Sequence, residues 1–217
     1  MRTTWRWPRD HDEGDLIVSE MDEVIPALVA AVQEQHATGD HYRDDAIRQA
    51  MEHQAQLALR PGPVRVDVIV DPPWSDGQIN SVQVVTGDRP FLVDTVVSCL
   101  LRHGWRVEDV RHPIIGVKRD RGTIEAVGMP GRGGCASESW IHIDATAPLG
   151  TDIGQAAEQL RDDLCACLDQ VVCATDDWGA MHEAMLRTAE LVSASSGPAD
   201  DRDSSRELLE WLADDHF

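Results

Sequence analysis

Lysine is nearly missing from this chain of 217 residues: Lys118 stands alone beside eighteen arginines. Positive charge as a whole is scarce, with 19 basic residues against 39 acidic ones for a formal net charge of -20. So acidic a surface repels nucleic-acid phosphates and anionic lipid headgroups, and neither nucleic acid nor a membrane is expected as a partner. Long apolar runs are missing too; none approaches the roughly 18 residues of a membrane-spanning helix. The five cysteines are odd in number and follow no regular framework, and no charged-then-apolar leader opens the sequence. A reducing cytoplasm is the expected compartment.

The groups needed for catalysis or cofactor binding are equally thin. Lys118 lies among Arg119, Asp120 and Arg121 beside an expected hairpin, where water solvates it; a catalytic lysine needs a desolvated pocket that lowers its pKa. Cys165-Ala166-Cys167, with Cys173 nearby, has no second pair to complete a tetrahedral metal set. Residues two apart on a helix also point to different faces, so these read as core cysteines and no metal is expected. Gly131-Arg132-Gly133-Gly134 comes nearest to a dinucleotide fingerprint, but Cys135 to Ala145 after it has the pattern of a strand. Pyrophosphate binding requires a helix there, so a hairpin loop is expected. This chain is therefore expected to hold no cofactor and no catalytic residue.

What is present is amphipathic pattern. Residues 1–20 carry Trp5, Trp7 and the solvated run Asp10-His11-Asp12-Glu13 without a sustained period, and are expected as a loose arm. Met21 to Gln35 brings Val24, Ile25, Leu28, Val29 and Val32 to one helical face. Asp44 to Leu59 does the same with Ile47, Met51, Ala55 and Ala58 and stops before Pro61-Gly62-Pro63, giving an N-terminal helical pair over 21–60. Val64, Val66, Val68 and Val70 alternate with Arg65, Asp67 and Ile69 as a strand. Trp105 to Lys118 reads as an extended strand with Pro113 at an edge or bulge, Thr123 to Val127 as a short returning strand, and Met129 to Ala136 as a glycine-rich loop. In Ser139 to Ala145, Ile141, Ile143 and Ala145 point inward while Trp140, His142 and Asp144 point outward. That outward row is expected to be a cross-strand packing face or a domain interface in preference to a ligand shelf. Ile153 to Val171 is a second long sheet-covering helix, and Val172 to Asp176 a short final strand. A helix over Trp178 to Leu191, a Ser/Asp/Gly/Pro linker over 192–203 and a last helix capped by Ser204 or Ser205 follow.

These pieces are arranged around one turn. Ile79 to Val85 alternates as a half-buried strand, and Leu92, Val93, Val96, Val97, Leu100 and Leu101 then form the apolar face of a helix. Between them Gly87 allows the reversal, Asp88 can cap the first helical turn, Pro90 needs no donor, and Gly104 ends the helix. The order strand, helix, strand, strand, helix, strand predicts an α+β fold over 61–178, two helices on one face of an antiparallel sheet, with N-terminal and C-terminal helices attached.

The wording of the turn carries more than periodicity. Asp88-Arg89-Pro90-Phe91-Leu92-Val93-Asp94-Thr95-Val96, then His103-Gly104-Trp105, Val110-Arg111-His112-Pro113 and Glu138-Ser139-Trp140-Ile141-His142-Ile143, resemble the ACT-like N-terminal region of the large bacterial NAD-specific glutamate dehydrogenases. Asp176-Asp177-Trp178 and Leu208 to Phe217 extend the likeness, which covers most of residues 60 to 217. The resemblance implies the ferredoxin-like ACT topology. It also implies a parent enzyme that oxidatively deaminates L-glutamate to 2-oxoglutarate and ammonium with NAD, in cytoplasmic amino-acid catabolism, as a homo-oligomer. The chain would then be an N-terminal piece whose residues 179–217 hold a helix, the linker and the truncated start of a following domain. Its partners would be the downstream catalytic region or a second copy. In ACT domains an amino acid binds near the strand-to-helix turn, so Asp88, Arg89, Pro90 and Phe91 are the ligand-binding candidates implied. The turn of the family usually has glycine where Phe91 stands, and that large side chain is expected to fill a ligand's space. Regulation or assembly is the role implied; a free-standing module that binds an amino acid or a protein is the alternative.

Overall fold

A computed structural model of the chain describes residues 16–17, 21–35, 44–75, 77–196 and 198–214. They fall into two compact units divided between Asp169 and Gln170. The first holds a seven-stranded sheet among its described residues: β1 (Leu16–Ile17), β2 (Val64–Ile69), β3 (Asn80–Gly87), β4 (Arg106–Arg111), β5 (Ile114–Asp120), β6 (Thr123–Gly128) and β7 (Ala136–Thr146). Every pairing is antiparallel, in the order β1-β6-β5-β7-β3-β2. β4 shares an edge of β7 with β5: β5 pairs with Ala136 to Ser139, β4 with His142 to Thr146. The break between them falls at His112-Pro113, where the Pro113 carbonyl accepts the Trp140 amide at 3.0 Å. An imino acid is tolerated there because the ladder changes strand at that point.

The α+β expectation is met, and helices cover both faces of the sheet. On one face lie α3 (Leu92–Arg102) and the start of α4 (Ile153–Asp176). Their buried Val96, Cys99, Leu100, Ala157, Leu160 and Leu164 serve the side that carries Val82, Val84, Ile141 and Ile143. On the other lie α1 (Met21–Gln35) and α2 (Asp44–Ala58), whose Val24, Leu28, Met51, Ala55 and Leu57 pack with Val85, Ile115, Val117, Val127 and Trp140. The central strands are consequently buried on both faces, from Asn80 to Thr86 in β3 and from Glu138 to Ala145 in β7. A helix seals its own end below the sheet: the Gly104 amide bonds the Leu101 carbonyl and the Trp105 amide the Leu100 carbonyl, with Gly104 at φ 74°. This left-handed stop is the one the sequence signals.

Several boundaries differ from expectation. The run 105–118 is two strands, not one. Val172 to Asp176 continues α4, since nothing in that segment breaks the helical period begun at Ile153. Within the expected loose arm, Leu16 and Ile17 pair with Val127 and Ala126 of β6; Trp5, Trp7 and the run Asp10 to Glu13 lie outside the described residues. In the second unit α5 (Trp178–Ala194) runs further than Leu191, and α6 (Ala199–Ala213) starts behind Pro198, not at Ser204 or Ser205. Asp200 and Asp201 in its first turn favour that earlier start by facing the positive end of the helix dipole. The connection is thus shorter than the predicted 192–203 linker. The His182 ring Nε2–H donates to the Ala213 carbonyl at 2.9 Å, tying α5 to the end of α6. Met181, Leu186, Leu191, Leu208 and Trp211 of this unit stay exposed.

The glycine-rich segment after β6 also departs from expectation. It is no hairpin between paired strands, because β5 lies between β6 and β7. The chain crosses over β5 instead, and at Gly116 it crosses so closely that a Cβ there would sit 2.4 Å from the Gly128 carbonyl oxygen and 2.5 Å from the Met129 carbonyl carbon.

Candidate functional site

The turn between β3 and α3 is held by a relay of three side chains. Ser139, fully buried on β7, donates its hydroxyl proton to Asp88 Oδ1 at 2.6 Å, and His112 Nε2 lies 2.9 Å from the same hydroxyl oxygen. The serine proton is already committed to the carboxylate, so the histidine must be the donor in the second bond, with its proton on Nε2. Nucleophilic catalysis needs the reverse, a serine that gives its proton to the ring. This trio therefore fastens the turn to β7 and to the β4–β5 break; it does not activate a hydroxyl. Burial against the sheet lowers the His112 pKa from its ordinary 6.5, opposed by the charge of Asp88. Asp88 does not cap α3, which has no side-chain cap; its amide instead extends the β3–β7 ladder by donating to Ser137 at 2.9 Å.

Phe91, at the N-cap of α3, is the left-handed residue of the turn, at φ 70° and ψ 5°; Gly87 remains in the strand. The residue is 63% exposed, so its ring is not packed into the core beneath the turn. A non-glycine residue in this conformation costs on the order of 1–3 kcal/mol, and little burial here offsets it. Phe91→Gly is accordingly expected to raise stability by about 0.5–1 kcal/mol, the relieved strain less the chain entropy glycine adds to the unfolded state. A lower urea midpoint for this variant would contradict the reading.

The row Trp140, His142 and Asp144 is not an outward shelf. Trp140 is fully buried, His142 is 5% and Asp144 3% exposed. Trp140 packs in the core beneath α1 and α2, and the two polar residues belong to a chain of hydrogen bonds under α2. His53 Nδ1–H donates to Gln83 Oε1 at 2.9 Å. The Gln83 amide nitrogen donates to the Ala50 carbonyl at 3.0 Å and to His142 Nδ1 at 3.2 Å. His142 Nε2–H then faces Asp144 Oδ1 at 3.1 Å and the Ser81 hydroxyl at 3.2 Å. Asp144 Oδ2 closes the line on the Arg111 guanidinium, which also pairs with Asp109 at 2.9 Å. Gln54 adds two bonds from α2 to the strand carbonyls of Val84 and Ile141, at 3.3 and 2.9 Å. Every direction is fixed by the amide of Gln83, and the result requires His142 to be neutral. Burial is the main cause of its lowered pKa; Asp144 opposes the shift and Arg111 reinforces it.

That neutrality gives stability a pH dependence. The unfolded chain takes up a proton near the ordinary histidine value of 6.5 while the folded chain resists it, so the contribution is complete above that pH and falls away as acid is added below it. Urea midpoints are expected to decline from about pH 7 downward, more shallowly in His142→Asn. An equal slope in that variant would remove His142 from the account.

Of the sequence candidates, Asp88, Arg89, Pro90 and Phe91 stand together at the turn. Lys118 is exposed and lies 3.7 Å from Glu125. Cys165 and Cys167 are half-buried and Cys173 exposed, so Cys173 is not a core cysteine. Among the described residues no group of His, Cys, Asp or Glu is arranged to hold a metal ion, and no helix is long and apolar enough to cross a membrane. Roles for Ser139, His112, Gln83 and Arg111 were missed, although three of them sit inside the motif words quoted for the resemblance. A second missed pair is Arg119 and Glu138, joined by two bonds of 2.6 and 3.0 Å, with Arg119 also donating to the Ala58 carbonyl at the end of α2.

An antiparallel sheet with α3 and α4 on one face and a strand-to-helix turn secured to the central strand defines an ACT-like domain of the α+β class. Residues 28–164 match the model of the glutamate dehydrogenase ACT1 domain, and the chain belongs to that family. The match begins inside α1 and ends inside α4, so α2 and the face it covers are part of the family domain.

Proposed function

We propose that this chain is the N-terminal regulatory or assembly segment of an NAD-dependent glutamate dehydrogenase. The parent would convert L-glutamate, NAD and water to 2-oxoglutarate, ammonium and NADH in cytoplasmic amino-acid catabolism, and the groups for that chemistry would lie in other parts of its polypeptide. Membership of the ACT1 family supports the parent. The observation that carries assembly is Phe91, an aromatic side chain held in a strained backbone conformation and turned outward. Such strain persists where it serves a function, and an exposed aromatic anchor is a common centre of a protein contact. The exposed apolar residues of α5 and α6 support further packing of the same kind.

The isolated chain is expected to give no glutamate-dependent reduction of NAD, whereas a polypeptide that contains it together with a catalytic region reduces NAD. In that larger polypeptide Phe91→Gly is expected to reduce the assembly seen by sedimentation without unfolding it. Robust turnover by the homogeneous chain, or an unchanged assembly state in the variant, would count against the proposal. The second reading, an amino-acid-binding module, is favoured by one arrangement: the uncapped start of α3 offers backbone amides to a carboxylate beside the Asp88 charge. Calorimetric titration with the protein amino acids separates the two. Saturable binding that disappears in Asp88→Ala would favour the module.

A further inference from the structure

Three polar groups meet where α3 packs on α4, at a place unrelated to the turn. Cys99 projects from α3 and is fully buried. Cys167 projects from α4, is half-buried, and lies near enough to Cys99 to help raise its pKa. The exposed guanidinium of Arg102, one helical turn beyond Cys99, donates to the Cys167 sulfur at 3.1 Å and reaches Cys99 as well. Two thiols on different helices, one sealed and one open, with a fixed cation beside both, are not the arrangement of inert core cysteines. Reactive thiols are found in partly exposed electropositive surroundings, and the Arg102 guanidinium bonded to the Cys167 sulfur joins α3 to α4 one helical turn from Cys99, where a disulfide of roughly 2 Å would cross-link the two helices.

We propose that Cys99 and Cys167 form a redox-modification site at which a hydroperoxide drives a disulfide between α3 and α4. The sulfur of Cys167, once it gives up its proton, attacks the terminal peroxide oxygen; the O–O bond breaks and the departing oxygen takes a proton, leaving Cys167 as a sulfenic acid. The Cys99 sulfur then attacks the Cys167 sulfur, the S–O bond breaks, and the hydroxide leaves as water with the Cys99 proton. Two thiols lose two electrons and the peroxide gains them, so hydrogen peroxide yields two waters. Burial raises the Cys99 pKa, opposed by Arg102 and reinforced by Cys167, which suits Cys99 to the second step rather than the first. Cys165 is a poor competitor: burial and the carboxylates of Asp169 and Asp162 raise its pKa, and it lies two residues from Cys167, on another face of the helix.

The test is to treat the whole chain with hydrogen peroxide, block remaining thiols by alkylation, and map the digest by mass spectrometry. The expected product is one intramolecular Cys99–Cys167 link, lighter than the two free peptides by two hydrogens and reversed by dithiothreitol. Cys167→Ser is expected to abolish it and Cys165→Ser to leave it. Arg102→Ala, an exposed change that leaves both thiols in place, is expected to slow linking roughly tenfold. Oxidation that ends in sulfinic acid at Cys167, links that involve Cys165 or Cys173, or an unchanged rate in Arg102→Ala would overturn the proposal. Because the wild-type map needs no variant, a folding defect in any one substitution leaves the question decided.

Discussion

Gly116→Ala is expected to cost about 3 kcal/mol or more, the upper end of what overpacking a core produces. The reason is the identity of what the new methyl would meet. Its Cβ would stand 2.4 Å from the Gly128 carbonyl oxygen and 2.6 Å from that of Met129, both backbone atoms of a crossing segment that cannot rotate aside as a side chain can. Gly116 is also paired on both sides, with Gly128 in β6 and Ser137 in β7, so β5 cannot slide away without disturbing two ladders. Equilibrium unfolding in urea, followed by tryptophan fluorescence, measures the loss. A variant with the wild-type midpoint would mean that the crossing is looser than the geometry requires. Substitution at Gly122, where an added Cβ meets nothing within 4 Å, serves as the comparison; any loss there comes from its φ of 89° alone.

Asp144→Ala is expected to cost about 3–5 kcal/mol, the usual consequence of removing one partner of a buried ion pair. Asp144 is 3% exposed and receives both Arg111 and His142. Its removal takes one of two carboxylates, Asp144 and Asp109, from a guanidinium only 15% exposed in its side chain, and it takes the acceptor from the end of the line that begins at His53. The loss comes from weakening the compensation of a largely buried charge, not from the worth of the pair itself. Replacing both ends, as in Arg111→Met with Asp144→Leu, is therefore expected to recover most of the deficit. Unfolding midpoints of the two single variants and the double form a cycle that checks this. A double variant as unstable as Asp144→Ala would show that the pair contributes net attraction beyond its own desolvation.

The same polar line explains what the sequence did and did not reveal. Strands β2, β3, β6 and β7, the two sheet-covering helices and the N-terminal pair were legible because their apolar residues repeat at the periods of helix and strand. The alternation in β3 reads as a half-buried strand and the polar row of β7 as an outward packing face or domain interface, since Ser81, Gln83, His142 and Asp144 are residues that ordinarily seek water. Here α2 lies over them, and the hydrogen bonds of water are replaced by those of His53, Gln83 and the Ala50 carbonyl. Alternation reports chemistry, and it reports exposure only where nothing covers the polar side. Partners distant in the chain, such as Gln54 reaching the Ile141 carbonyl, leave no local mark. The turn was found by its composition, but its geometry was assigned to the wrong residue: glycine is the usual bearer of a positive φ, and Phe91 carries it here.

The strand order also sets a schedule for folding. β7 is the last strand among the described residues and the common partner of β3, β4 and β5. During synthesis β2 and β3 can pair as soon as both have emerged, but the inner edge of β3 then waits, with its amides and carbonyls unmet, until Ala136 to Thr146 leaves the ribosome. Contacts of such sequence separation form slowly, and open strand edges invite pairing with other chains. A nascent chain stalled before Ala136 would present the edges of β3 and β5 without the strand that joins them. Quality control is thus concentrated on eleven residues, whose arrival converts two separate ribbons into one sheet.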